Sequence, residues 1–303
     1  MKKIIANNIT WIDIKKPNQK DLDKLKGKFK LHPFIVQQFL PPIHRPKIEE
    51  YPKQLFIVLH FPVSKKSNEA KSVELDIIIT PTTLITSHDK RIPDLEIFFN
   101  DCQFQKYYQT HYFKTTGHLL FNMLDWLIDS CLPMLDEMGK KIEKIESNVF
   151  QGKEKEMLSK IAITKKYMID FSRAVKPQAS VLELLGKKSK RFFGPGLKQL
   201  VQEVIGSQVR VWNVLENHQE LINSIEQTNN SLLSHKLSDI MKFLTVVSFI
   251  TFPLSVVVGF FGMNIFDKIP IVKENTYSWA YILAFMFITT IIMIAYFRKK
   301  KWL

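Results

Sequence analysis

Two stretches near the end of this chain contain no charged residue. Residues 243 to 261 read FLTVVSFITFPLSVVVGFF, and residues 277 to 297 read YSWAYILAFMFITTIIMIAYF. A helix rises about 1.5 Å per residue, so each run matches the roughly 30 Å hydrocarbon core of a bilayer. Both are expected to cross a membrane. Pro253 lies inside the first run, where neighbouring helices and Ser or Thr side chains can satisfy the carbonyl it frees.

The flanks set the orientation. Arg298, Lys299, Lys300 and Lys301 follow the second run directly, while the connecting segment 262–276 carries only Asp267, Lys268, Lys273 and Glu274. The positive-inside rule places this basic tail, residues 298–303, in the cytoplasm, and two spans return residues 1–242 to the same side. Tyr277, Trp279, Tyr296 and Trp302 stand near the ends of the second run, at the depth where amphipathic rings favour headgroups. The Met1 start is basic, but its apolar stretch is too short for the core of a signal peptide.

A net charge of +14 on 303 residues points to a polyanionic partner, either nucleic acid or an acidic membrane surface. Its distribution favours the membrane. Residues 1–115 carry nineteen basic and twelve acidic side chains, and the excess after residue 242 comes from the tail beyond the second run. We expect membrane lipid as a partner and no nucleic acid. Cys102 and Cys131 form no CxxC pair, which excludes a disulfide framework and a Cys-rich zinc module. There is no GxxxxGK[ST], GxGxxG or HExxH pattern, so no nucleotide cofactor, no catalytic residue and no enzyme activity are expected.

Residues 1–115 alternate strand and helix signals. Leu55–Phe61, Val73–Thr80 and Thr83–Thr86 are apolar and β-branched, while 21–29 and 33–40 read as helices, so an α/β or α+β domain is expected. From Thr116 to residue 242 the pattern is helical. Cys131, Leu135, Met138, Ile142, Ile145 and Val149 recur at spacings of three and four, the stripe of a packed helix. A second helix is expected from Glu154 to Leu185, kinked at Pro177 and ended by the segment Gly186–Gly196. Lys187–Arg191 would then be a solvated loop. A third helix runs from Leu197 without a breaker until Pro253, long enough to be a stalk that enters the membrane. Between Gln199 and His235 this helix holds one cation, Arg210, against Glu203, Glu216, Glu220 and Glu226. Either this is the solvated face of a coiled coil, or several copies surround a cation-attracting passage.

On the helix that enters and forms the first run, Met241, Thr245, Ser248, Phe252, Ser255 and Gly259 share one face. Small and polar residues there mark close helix packing or a water-lined path. With no charge inside either run, a cation crossing here has no carboxylate to replace its water. Mg²⁺, which dehydrates reluctantly, suits such a path.

The first run ends at Phe261-Gly262-Met263-Asn264. A long stalk helix, a proline-containing span closing in Gly-Met-Asn, a short loop, a second span and the ending Lys-Lys-Lys-Trp-Leu together resemble the CorA family of divalent metal transporters. Leu135–Glu146 and Arg173–Gln178 are similar to that family's long cytoplasmic helices. The resemblance implies a homopentamer with an αβα funnel-like cytoplasmic domain, long stalk helices and two C-terminal transmembrane helices. The first span, 243–261, lines a single central pore, and 262–276 is an extracytoplasmic loop. Gly262, Met263 and Asn264 would be the selectivity element, with Asn264 amides accepting hydrogen bonds from the water around the ion. Counted back from the motif, Ser255, Phe252, Leu244 and Met241 fall on the family's pore positions, the apolar ones forming a hydrophobic gate. The same count makes Glu203 a regulatory Mg²⁺ ligand, with Glu74 or Asp76 as its partner across a subunit interface. Phe261 replaces the usual Tyr, and Phe252 stands where Met is usual.

The function so implied is a gated, passive Mg²⁺ channel of the inner (plasma) membrane with both termini cytoplasmic. It would also pass Co²⁺ or Ni²⁺, with Mg²⁺ both transported and regulatory. A zinc transporter of the same architecture and a non-conducting two-span scaffold or signalling protein are the alternatives. The histidines, His44, His60, His111, His118 and His218 among them, show no spacing typical of metal ligands.

Overall fold

The computed structural model describes residues 1–39, 43–65, 69–263 and 277–302. They form two compact units, Met1–Glu226 and Gln227–Leu303.

The first unit is built on a six-stranded sheet of β1 (Lys2–Ala6), β2 (Ile9–Lys15), β3 (Lys47–Tyr51), β4 (Gln54–Lys65), β5 (Glu69–Ile79) and β6 (Thr83–His88). The spatial order is β1-β2-β6-β5-β4-β3, and every pair is antiparallel except β2 with β6. Alternation along the strands sends Ile12, Ile14, Phe56, Val58, Ile78 and Ile85 to one face. There they meet Leu22 and Leu25 of α1 (Gln19–Phe29) and Ile35 and Val36 of α2 (Pro33–Gln38). Asn18 caps α1 by accepting the Asp21 N–H at 2.9 Å. On the opposite face Trp11 packs on Phe98 and Phe99 of α3 (Pro93–Phe104), with ring centroids 5.8 and 4.7 Å away. The short α4 (Lys106–Tyr112) leads to α5 (Thr116–Asp129), which joins α3 on that side.

The helical stripe behaves as read: Cys131, Leu135, Met138, Ile142, Ile145 and Val149 are all buried along α6 (Cys131–Phe150). The next helix differs from expectation. It is two helices, α7 (Glu154–Val175), which packs on β4 and β5, and α8 (Gln178–Phe193). The chain does not stop at Gly186. A Cβ there would lie 2.9 Å from Val201 Cγ1, so this glycine serves a close helix contact, and α8 ends instead at Gly194, where φ is +85°. Lys187–Arg191 is therefore helical, with Lys188 Nζ donating to Glu50 at 2.7 Å.

After a turn at Pro195–Leu197, α9 runs unbroken from Lys198 to Phe261, through Pro253. It belongs to the first unit as far as Glu226 and to the second beyond. The second unit pairs the rest of α9 with α10 (Ser278–Lys299). Both helices are long and apolar enough to cross a membrane, and only 6% of the most apolar window in each is buried by protein. That exposure fits surfaces that meet lipid or further subunits. The expected strands on β4, β5 and β6 and the helices on α1 and α2 are present, while β1, β2 and β3 were not anticipated.

Candidate pore and cytoplasmic ion sites

Where α9 meets α10, Val246 and Phe297 are buried at 2% and 7% exposure, and Phe249 meets Phe297 edge to face at 6.2 Å. At 100° per residue, Val246, Phe249, Ile250 and Pro253 centre about 130° from Met241, Thr245, Ser248, Phe252, Ser255 and Gly259. The proposed pore face thus points away from the protein's own second span. Phe252 is 72% exposed, and Met241 and Leu244 are exposed too.

The hydroxyls on that face share one habit. Thr245 donates to the Met241 carbonyl at 2.7 Å, Ser248 to Leu244 at 2.8 Å and Ser255 to Thr251 at 3.0 Å. Each proton is spent inside the helix, so the oxygen presents only lone pairs outward. Such a surface accepts hydrogen bonds from the water of a hydrated cation. Beyond it, the Gly262 N–H donates to Val258 O at 2.8 Å, and a Cβ at Gly262 would sit 3.0 Å from that same oxygen. Met263 follows, exposed. Asn264, and the loop after it to residue 276, lie outside the described residues.

At the other end of α10, Lys300 Nζ lies 5.5 Å from the Tyr296 ring and Phe297 stacks on Trp302 at 5.9 Å. Arg298, Lys299 and Lys300 remain exposed. Aromatic rings beside free cations suit a membrane interface.

In the first unit, the expected regulatory acids divide between two places. Glu203 is exposed on α9 and accepts Gln199 Nε2–H at 3.1 Å. Its electrostatic neighbour is Asp125 of α5, which no sequence signal had singled out. Burial pushes the Asp125 carboxyl up; the Ser207 hydroxyl, donating at 2.7 Å, pulls it down, and the charges of Asp129 and Glu203 push it up again. Arg210 reaches Asp129 at 3.3 Å. Asp125 and Asp129 line an open cavity of about 310 Å³ with Asp94, Tyr112 and Trp126. Several carboxylates with one arginine nearby form a place where a cation relieves repulsion.

Glu74 and Asp76 lie on β5, facing the α1 and α2 layer. Glu74 accepts the His44 backbone N–H at 2.8 Å, and His60 Nε2–H donates to the His44 carbonyl at 2.8 Å. Both imidazoles approach the Glu74 carboxylate, at 3.6 and 3.7 Å. Sequence spacing had left these two histidines unassigned; the register that pairs His60 with Glu74 is what joins them. Burial pushes Glu74 up, but hydrogen bonds from His60, the His44 N–H and Asp76 hold it below the usual carboxylate range. Asp76 is only 7% exposed, and burial together with the neighbouring Glu74 charge pushes it up to about 9. It is therefore protonated at neutral pH. Among the described residues, no three or more His, Cys, Asp or Glu side chains are grouped so as to hold a metal ion.

With this geometry in view, comparison with known proteins places the chain in context. The family model described as "CorA-like Mg2+ transporter protein" matches residues 6–299. The chain is 27% identical to the cobalt/magnesium transport protein CorA of Thermotoga maritima, covering 97% of this chain and 83% of that protein. It is also similar, at 22% identity over 76% of this chain and 68% of the relative, to the zinc transport protein ZntB of Yersinia pseudotuberculosis. Among solved structures, the complete CorA magnesium transporter of Methanocaldococcus jannaschii shares the fold, with a TM-score of 0.85, 22% identity and coverage of 100% of this chain and 95% of that one.

Proposed function

The chain belongs to the family of CorA-like Mg²⁺ transporter proteins, and on that premise we propose that it is a passive, gated Mg²⁺ channel that also admits Co²⁺ or Ni²⁺. The observation that carries this reading is the uncharged face of α9, whose hydroxyl oxygens offer acceptors to a hydrated ion and whose end bears Gly262 and Met263. Copies of this face around a common axis, as in a homopentamer, would line a water-filled path. Met241, Leu244 and Phe252 form its apolar constriction, which blocks ions when it dewets. Gly262, Met263 and Asn264 form the outer selectivity element. There the ion is read through its water, because Mg²⁺ sheds water reluctantly.

Inward movement needs no nucleotide. A divalent ion crossing a negative-inside potential gains about 4.6 kcal/mol per 100 mV, twice the value for one charge. Both termini lie in the cytoplasm on this reading, with the basic tail against an anionic inner leaflet of the plasma membrane.

Gating is assigned to cytoplasmic Mg²⁺ at Glu203. The proximity of Asp125 makes it the partner within one chain, and Glu74 or Asp76 of a neighbouring subunit would be the partner across the interface. Mg²⁺ bound between carboxylates holds the closed state, and their repulsion after its loss favours opening. Limited proteolysis tests this assignment. Mg²⁺ should protect the wild-type protein and protect Glu203→Ala and Asp125→Asn less; equal protection in all three removes the site. Dye-reported flux of Mg²⁺ and Zn²⁺ into proteoliposomes tests the substrate. Uptake of Zn²⁺ alone would favour the zinc transporter, and uptake of neither ion would favour the scaffold.

A further inference from the structure

The first thirty residues hold nine lysines against three aspartates, of which Asp13 is buried. Part of this charge is gathered at one edge of the sheet. Lys3 is the cross-strand partner of Ile12, whose side chain enters the core beneath α1, so Met1, Lys3 and Ile5 face that same side of the edge strand β1. The helix does not cover them: Met1 and Ile5 are 56% and 63% exposed. From α1, Lys24 and Lys28 stand one turn apart and lean over the uncovered strip, with Phe29 beside them.

Between strand and helix lies an open cavity of about 430 Å³, bounded by Met1, Lys3, Ile12, Lys24, Lys28 and Phe29. No acidic side chain lines it. Lys3, Lys24 and Lys28 have no ion-pair partner among the described residues, although Lys15, Lys47, Lys165, Lys188 and Lys242 do. Lys28 Nζ lies 5.6 Å from the Phe29 ring centroid, while Lys2 turns to the other face of the sheet, over Phe99. The groove thus combines unneutralised ammonium groups with an apolar floor, in the volume range of small-ligand sites.

We propose that this groove binds a nucleoside polyphosphate, as a regulatory ligand and not as a source of energy. The phosphates would be held by Lys3, Lys24 and Lys28, as point charges suit phosphate, and the base would lie on Ile12, Leu25 and Phe29. Three ammonium groups without a carboxylate favour the most negative form of the ligand. Mg²⁺ bound to a triphosphate cancels two of its charges, so the metal-free triphosphate binds more tightly than its Mg²⁺ complex. The site then fills when Mg²⁺ is scarce, which gives a Mg²⁺ channel a second cytoplasmic signal. That regulatory link rests on the Mg²⁺ reading above; the binding does not.

Equilibrium dialysis of labelled ATP against the full chain in detergent, at fixed ionic strength and with a chelator present, tests the proposal. Saturable binding is expected, weakened several-fold by excess Mg²⁺ and competed by inorganic triphosphate less well than by unlabelled ATP. Lys24→Glu with Lys28→Glu should lower affinity about tenfold or more, as should the independent variant Lys3→Glu on the strand. The remote pair Lys140→Glu with Lys144→Glu should leave it unchanged. Absence of saturable binding, or wild-type affinity in both groove variants, overturns the proposal. So does competition by phosphatidylglycerol vesicles without competition by triphosphate, which would assign the groove to a lipid surface. Because this assay measures no flux, its failure leaves the transport result standing, and the converse holds.

Discussion

Asp76 shows how far a single buried group departs from its ordinary chemistry. Among the described residues its Oδ1 has no hydrogen-bond partner, and neither does the neighbouring Ser87 hydroxyl, which is fully buried on β6. In the folded protein this carboxyl keeps its proton to about pH 9, whereas in the unfolded chain it ionises near its ordinary 3.8. The unfolded state therefore holds fewer protons between those values, and the contribution of Asp76 to stability falls as pH rises through that window. Asp76→Asn mimics the protonated form, since its amide can donate to Glu74 at every pH. We expect it to stabilise the protein at pH 7 to 8 by on the order of 1–3 kcal/mol and to flatten the fall in stability toward pH 9, as measured by denaturant midpoints. Parallel curves for the two proteins would contradict this. Burial pulls the His88 imidazole down, but the adjoining Asp13 carboxylate outweighs it and raises it, so its share is also lost as pH rises and a residual slope should persist. Both cysteines are buried, and burial pushes each thiol up to about 12. Cys102 and Cys131 should stay unmodified by iodoacetamide at pH 7.5 in the folded protein and react once it is unfolded.

Among the elements, helix packing explains features that residue type alone misreads. Gly186 looked like a terminator, yet its lack of a side chain lets α8 approach α9 at Val201. Gly186→Ala should cost about 1–3 kcal/mol through overpacking, although alanine is the better helix former; a rise in thermal midpoint would contradict it. Along α9, replacing Thr245, Ser248 and Ser255 together by valine or alanine should leave folding intact and lower Mg²⁺ flux several-fold, because the outward acceptors are lost. Flux equal to wild type would show that the ion takes another path. Helices α1, α2, α6 and α9 and both apolar runs were legible because their period and length reflect burial along one element, whereas α3 and α4 were not read. The edge strands β1 and β3 were not, since one face of each is solvated and their Lys and Glu residues mask the alternation. Asp125 escaped notice, and His44 and His60 were named without a role, for a related reason. Their partners, Glu203 and Glu74, are brought to them by helix packing and strand register, and no fixed spacing in the chain encodes either contact.

At the scale of the whole molecule, a strongly basic chain conducting a cation is consistent once charge is placed. Most of the excess positive charge lies in the first thirty residues and at the end of α10 with the tail beyond it, while α9 from Gln199 to His235 holds four glutamates against one arginine. On the proposed reading the tail would face anionic lipid, and the amide-rich, net acidic helix would attract a cation. The central claim is that Mg²⁺ crosses through the face of α9 that ends in Gly-Met-Asn. Its most direct test is dye-reported Mg²⁺ uptake by proteoliposomes under a negative-inside potential, comparing wild type with Asn264→Ala. Uptake that grows with the potential and falls at least tenfold in the variant is predicted. No uptake by the wild type, or uptake unchanged in Asn264→Ala, would contradict the account.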